Sequence, residues 1–153
     1  MSVIITDEGF RTEIAPVAAL TLADLQVSET GGHAIDLDGG ADVDALAGFF
    51  DRIALIRVSF PSFADGRGFS IAARLRALGY RGQLRAVGHL LADQYPNARR
   101  SGFDDVEISD GLAARQPERQ WLAFADWGER SYQARLRRAR EAGGVDLGVS
   151  KAA

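Results

Sequence analysis

The chain contains no cysteine. That absence excludes a disulfide, a thiolate metal ligand, a cysteine nucleophile and any dithiol redox chemistry carried by this chain itself. Histidine is scarce too: His33 and His89 are too few for an ordinary zinc centre, so no metal site is expected. No stretch approaches the roughly 18 to 20 apolar residues that cross a bilayer. The start, MSVIITDEGF, lacks the basic segment and apolar run of a secretory signal. A cytoplasmic protein without membrane contact is therefore the expectation. Lysine is nearly absent as well, since Lys151 is the one lysine among 18 basic residues and the others are arginine. Genomic base composition produces such a bias, but guanidinium also suits bidentate anion binding.

What is present describes one ordinary domain. The 153 residues are 46% hydrophobic and 25% charged, within the size range of single-core chains. The net charge of −3 conceals a segregation. Residues 1–51 carry ten Asp or Glu against Arg11 alone, residues 52–100 carry nine Arg against Asp65 and Asp93, and residues 101–153 are almost balanced.

Along the chain, Val3–Ile5 and Phe10–Ile14 flank the turn-forming Thr6-Asp7-Glu8-Gly9, which predicts an N-terminal hairpin. Thr21 with Asp24 suits the start of a short helix. From residue 33 the pattern alternates. Strands are predicted at Ala34–Leu37, Ile53–Phe60, Gln83–Val87 and Phe103–Ser109. Helices are predicted at Asp42–Phe50, at Phe69–Leu78 with Gly79 as its cap, at Leu91–Arg100 around Pro96, and at Pro117–Ala142. The final GVSKAA is expected to fray. The pattern predicts a single α/β domain over 1–153: a hairpin and short helix over 1–30, then a βα core and C-terminal helix over 33–142. Its mostly parallel sheet has about four βα units, either open and doubly wound or resembling half a β/α barrel.

Four charged side chains interrupt strands that would otherwise be apolar: Asp36, Arg57, Arg85 and Glu107. They form either a ligand site or a structural ion-pair network, because buried charges need partners. The loop Ser62–Ser70 lies between a strand end and a helix start, where ligands of parallel sheets collect. There Gly66 permits close approach, helix amides attract an anion, Arg67 supplies a planar fork, and Ser70 is a cap or donor. Alternatively, Asp65 takes the amides and pairs with Arg67. The loop has neither GxGxxG nor the Walker lysine. Beyond the next strand stand His89, a candidate base, and Asp93, which also suits a helix start. Arg135, Arg137, Arg138 and Arg140 form a basic run, but a pI near 5.4 argues against nucleic acid. Trp121, Phe124 and Trp127 recur at helical spacing and are expected to dock their helix on the core or on a partner.

The segments DGRGFS at 65–70, LRALGYRGQLRAVG at 75–88, Asp93-Gln94 and RRSGFD at 99–104 resemble an uncharacterised bacterial domain family of unknown function. That family is described as oxidoreductases involved in sulfite reduction. The resemblance implies a place beside assimilatory sulfite reductase, as accessory or partner. In the family pattern a cysteine often stands where this chain has Ser101, and an acidic residue where it has His89, so the thiol chemistry the description suggests is not available here.

Three functions follow as expectations. The first is an accessory protein of sulfur assimilation with an anion pocket built from Arg57, Arg67 and Arg85 beside Asp65, Gly66, Ser70, His89 and Asp93. The second is an enzyme in which Asp65, His89 or Asp93 exchanges protons with an anionic sulfur-pathway substrate. The third is a structural subunit docking on sulfite reductase or on a second copy of itself. No flavin, nicotinamide or iron–sulfur motif is present, and the sequence names no cofactor.

Overall fold

A computed structural model describes residues 2–13, 17–130 and 140. Seven strands form a single sheet: β1 (Ser2–Thr6), β2 (Gly9–Thr12), β3 (Ala19–Leu20), β4 (His33–Leu37), β5 (Ile53–Phe60), β6 (Gln83–Gly88) and β7 (Asp105–Ser109), in the order β2-β1-β7-β6-β5-β4-β3. Strands β3 to β7 are parallel. The expected hairpin forms as β1–β2 and adds antiparallel to β7. The expected four strands are thus β4 to β7, and the sheet gains three more from the N-terminal segment. β3 escaped the sequence reading because two residues are too short to carry a period.

Order and handedness together decide where the helices go. The parallel strands are laid down in one direction without reversal, and right-handed crossovers then place every connection on the same face. The connections are α1 (Leu22–Val27), a 3-10 helix (Val43–Arg52), α2 (Arg67–Ala77), and a short 3-10 turn (Ala92–Gln94) running into α3 (Tyr95–Ser101). Their buried residues, among them Leu25, Leu46, Ile71, Leu75 and Ala98, join Ile35, Ile56, Val58, Phe60, Leu84, Ala86 and Val106 of the sheet in one core. The doubly wound alternative is therefore excluded. The winding is one-sided, like a half-barrel, in a sheet that stays open.

Local chemistry explains the elements. Thr21 and Asp24 form a reciprocal capping box at α1. In α2, Ile71, Ala72 and Leu75 face the sheet, and Gly79 at φ +102° ends the helix. Ser70, expected as a cap, lies inside α2 on its exposed side; Gly66 occupies the N-cap instead. After β7 come α4 (Asp110–Arg115), α5 (Glu118–Leu122) and α6 (Trp127–Arg130).

The single helix expected over 117–142 is broken by turns at 123–126. Trp121 is in the core with its Nε1 donating to the Gln116 carbonyl at 3.0 Å, while Trp127 donates to Asp7. Six residues place two side chains about 120° apart on a straight helix, so the turn lets both reach the domain. Of the basic run, Arg140 is helical and exposed; Arg135, Arg137, Arg138 and the terminal GVSKAA lie outside the described residues. Among the described residues no helix is long and apolar enough to cross a membrane.

Candidate functional site

Side chains alternate across a strand, so register fixes which charges share a face. Asp36 of β4 stands beside Arg57 of β5, Arg57 beside Arg85 of β6, and Arg85 beside Asp105 of β7. This charged row runs across the second face of the sheet, opposite the helices. Glu107 lies one alternation further along β7, beside Val87.

The row is paired throughout. Arg57 grips Asp36 through Nε and Nη2. Arg85 grips Asp105 with Nε–Oδ1 at 2.8 Å and Nη2–Oδ2 at 3.1 Å, and both residues are almost fully buried. Arg85 Nη1 also donates to Glu13 Oε1 at 3.1 Å, with Glu107 Oε1 at 3.7 Å. Burial alone would depress the Arg85 pKa, but Asp105 and Glu13 outweigh it and raise it, so Arg85 stays ionised. Gln83 Nε2 donates to Asp105 at 2.8 Å. The Glu107 pKa is also raised, which in a carboxyl favours the neutral form. Burial pushes its carboxyl above the ordinary range, and Glu13 reinforces this by charge and by a shared hydrogen bond, against the lowering by Arg85 and Arg57.

At the carboxyl ends of these strands the second face hollows into a cavity of about 520 Å³. It is lined by Arg57 and Ser59 of β5, Val87 of β6, Glu107 of β7, and Asp36, Leu37 and Asp38 at the end of β4. Parallel sheets collect ligands at this end. Of the eight site residues read from the sequence, Arg57 lines this cavity and Arg85 lies beside it in register but sealed among carboxylates.

The β5–α2 loop is a separate, self-satisfied feature. Asp65 Oδ1 accepts the Arg67 amide at 3.2 Å, and the Arg67 side chain closes a bidentate pair with Asp65 at 3.0 and 2.8 Å. Those Arg67 hydrogen bonds hold the Asp65 carboxyl below its usual range. The loop's own carboxylate thus sits on the first free amide of the helix beside Gly66. Arg67 nevertheless leans over the β4 loop, its guanidinium 2.7 Å from where a Cβ on Gly39 would stand, next to the cavity-lining Asp38. His89 is exposed, its ring edge-on to Phe63 with centroids 5.4 Å apart. Asp93 is exposed on a different groove with Gln116 and Phe124. Of the acid–base candidates, Asp65 is committed to Arg67, His89 packs on Phe63 and Asp93 lines the groove with Gln116.

A third hollow, of about 550 Å³, is lined by Arg76, Arg81 and Arg99. Arg76 spends its donors there on the carbonyls of Tyr80, Gly82 and Gly102 and on Asp104, which fastens α2 to the turns before β6 and β7. Among the described residues no group of three or more His, Asp or Glu side chains is placed to hold a metal ion.

Residues 34–142 match the model of a family described as a bacterial protein of unknown function, DUF934. The chain belongs to that family. The DUF934 match spans the whole row from Asp36 to Glu107 but not Glu13, which reaches the row from the segment after β2. No curated protein and no solved structure matches the chain.

Sequence reasoning singled out Asp36, Arg57, Arg85 and Glu107 and missed Asp105, Glu13 and Asp38. Asp105 had a usable signal, since it stands two residues before Glu107 and so on the same strand face. Glu13 had none, because its partner is 72 residues away. Asp38 follows its strand and looks like any loop aspartate.

Proposed function

We propose that this protein is an accessory protein that binds a small anionic ligand in the second-face cavity, with Arg57 as the anion-reading group. One observation carries the reading: Arg57 is the cation among the cavity's lining residues, and its partner Asp36 has a side chain 58% exposed. The carboxylate half of the pair is open to water while the guanidinium is largely buried, so an incoming oxyanion competes with Asp36 for Arg57 from the solvent side. The guanidinium fork then offers two parallel hydrogen bonds, and Ser59 a further donor. Asp38 and Glu107 line the same cavity and would accept hydrogen bonds from an anion that also carries donors.

The resemblance to a family tied to sulfite reduction favours a sulfur oxyanion or its adenylylated form as that ligand. The absence of cysteine supports binding over thiol catalysis. Docking on sulfite reductase through the tryptophans draws less support, because Trp121 is 1% exposed in the core and Trp127 packs on Arg99.

Isothermal titration with sulfite, sulfate and adenylylated sulfate tests the reading. Binding by at least one, weakened about tenfold or more by Arg57→Ala, is expected; tenfold corresponds to about 1.4 kcal/mol. Arg67→Ala should leave affinity within about twofold, the small change usual for an exposed pair. No heat with any of the three, or Arg57→Ala binding as wild type, would overturn the proposal.

A further inference from the structure

The charge count around Arg85 does not close if every carboxyl is ionised. Arg85 and Asp105 neutralise each other through their two-point contact, and Arg57 is neutralised by Asp36. Two carboxyls remain, Glu13 and Glu107, both directed at the same Arg85 Nη1, at 3.1 and 3.7 Å. Their side chains are only 18% and 16% exposed. Among the described residues a further cation, Arg11, lies 3.6 Å from Asp105, and its side chain is 61% exposed, where water screens it. Two ionised carboxylates here would repel each other and would both be only partly hydrated. Like charges crowded at one site resolve this by keeping one group protonated.

We propose that Glu13 and Glu107 hold a single proton between them over Arg85, and that this carboxyl–carboxylate pair couples anion uptake in the adjoining cavity to protonation. The coupling rests on the anion-binding reading given above; the shared proton does not. Glu107 is the member that lines the cavity, and Glu13 belongs to the segment after β2. The groups facing the pair come from every neighbouring strand: Arg85 from β6, Arg57 from β5, Asp105 from β7 itself, Asp36 from β4, and the apolar Ile4 of β1 opposite Glu107. The raised Glu107 carboxyl agrees with this arrangement.

The sign follows from charge. An anion beside Arg57 adds negative potential next to Glu107, which favours its protonated form. Binding therefore takes up protons, and affinity falls as the pH rises through the range in which the pair loses its proton.

Carbon-13 NMR of the glutamate carboxyls, in wild type and in Glu13→Gln and Glu107→Gln, tests the shared proton without any ligand. In wild type the pair should titrate in two steps, one above the ordinary glutamate range. In Glu13→Gln the remaining Glu107 should titrate at lower pH than in wild type, because its competitor for Arg85 is gone. The amide spectrum establishes that each variant is folded. Wild-type titration of both carboxyls at or below the ordinary range would overturn the shared proton.

Sulfate, which stays fully ionised across this range, then probes the coupling by calorimetry in buffers of different ionisation enthalpy. Proton uptake in wild type that disappears in Glu13→Gln is expected. Heat that does not depend on the buffer overturns the coupling alone. Absence of heat overturns the coupling and counts against the anion reading, while the carbon titration decides the shared proton separately.

Discussion

Asp7, at the tip of the β1–β2 turn, accepts hydrogen bonds from Tyr95, from Arg99 Nε and Nη2 at 3.1 and 2.9 Å, and from Trp127 Nε1 at 3.1 Å. The Arg99 guanidinium also stacks 4.7 Å from the Trp127 ring centroid. One carboxylate thereby ties the hairpin to α3 and α6. Burial raises its pKa, but Arg99, Tyr95 and Trp127 outweigh burial and hold it below the usual aspartate value. Asp7→Ala leaves a mostly buried guanidinium and a buried hydroxyl unmatched, which should cost about 1 to 3 kcal/mol. Urea unfolding checks this against Glu8→Ala, an exposed neighbour that should change stability by less than about 0.5 kcal/mol; equal midpoints would contradict the role of Asp7. The pH dependence has opposite signs at two carboxyls. The Asp7 contribution is present above the unfolded aspartate pKa and is lost as pH falls through its lower folded value. Glu107, raised in the fold, favours the folded state when protonated, and that contribution is lost as pH rises through its folded value. The sequence marks Asp7 as a turn residue and nothing more, because its partners are 88 to 120 residues away.

Helix α2 meets β5 at close range through Gly68. Gly68, in the first turn of α2, lies so near the Phe60 ring that an added Cβ would stand 2.3 Å from Cζ. Phe60 is itself held between Phe69 and Phe103, with centroids 5.0 and 5.8 Å away. The ring has little freedom to move aside. Gly68→Ala should cost about 1 to 3 kcal/mol through overpacking, more than the roughly 1 kcal/mol by which alanine favours a helix over glycine. Thermal unfolding followed by circular dichroism should give a lower Tm for Gly68→Ala than for Ser70→Ala, which lies on the exposed side of the same helix. A Tm at or above wild type for Gly68→Ala would contradict the packing account. Elements such as α2 and β5 are legible in sequence because periodicity, flanking Pro61 and capping Gly79 agree. The break at 123–126 was not, since Trp121, Phe124 and Trp127 have helical spacing whether or not the helix is continuous.

Across the whole molecule, the charge segregation of the sequence reads as a contact map. Asp7, Glu13, Asp36 and Asp44 from the acidic first third pair with Arg99, Arg85, Arg57 and Arg74 from the arginine-rich centre. Arginines from the middle thus hold the N-terminal segment through Asp7 and Glu13, and the first βα unit through Asp36 and Asp44. The sequence indicated the parallel strands but not their order, and the order decides that the helices connecting them pack on one face, opposite the charged row. Among the described residues on that second face, Arg57 is the cation that lines the cavity, paired with the half-exposed Asp36. Amide chemical-shift mapping of the isotopically labelled protein with sulfite and sulfate tests this most directly. The account predicts shifts centred on Asp38, Arg57, Ser59, Val87 and Glu107. Shifts confined to the Ser62–Ser70 loop or to the Arg76–Arg81 hollow, or none with either anion, would contradict it.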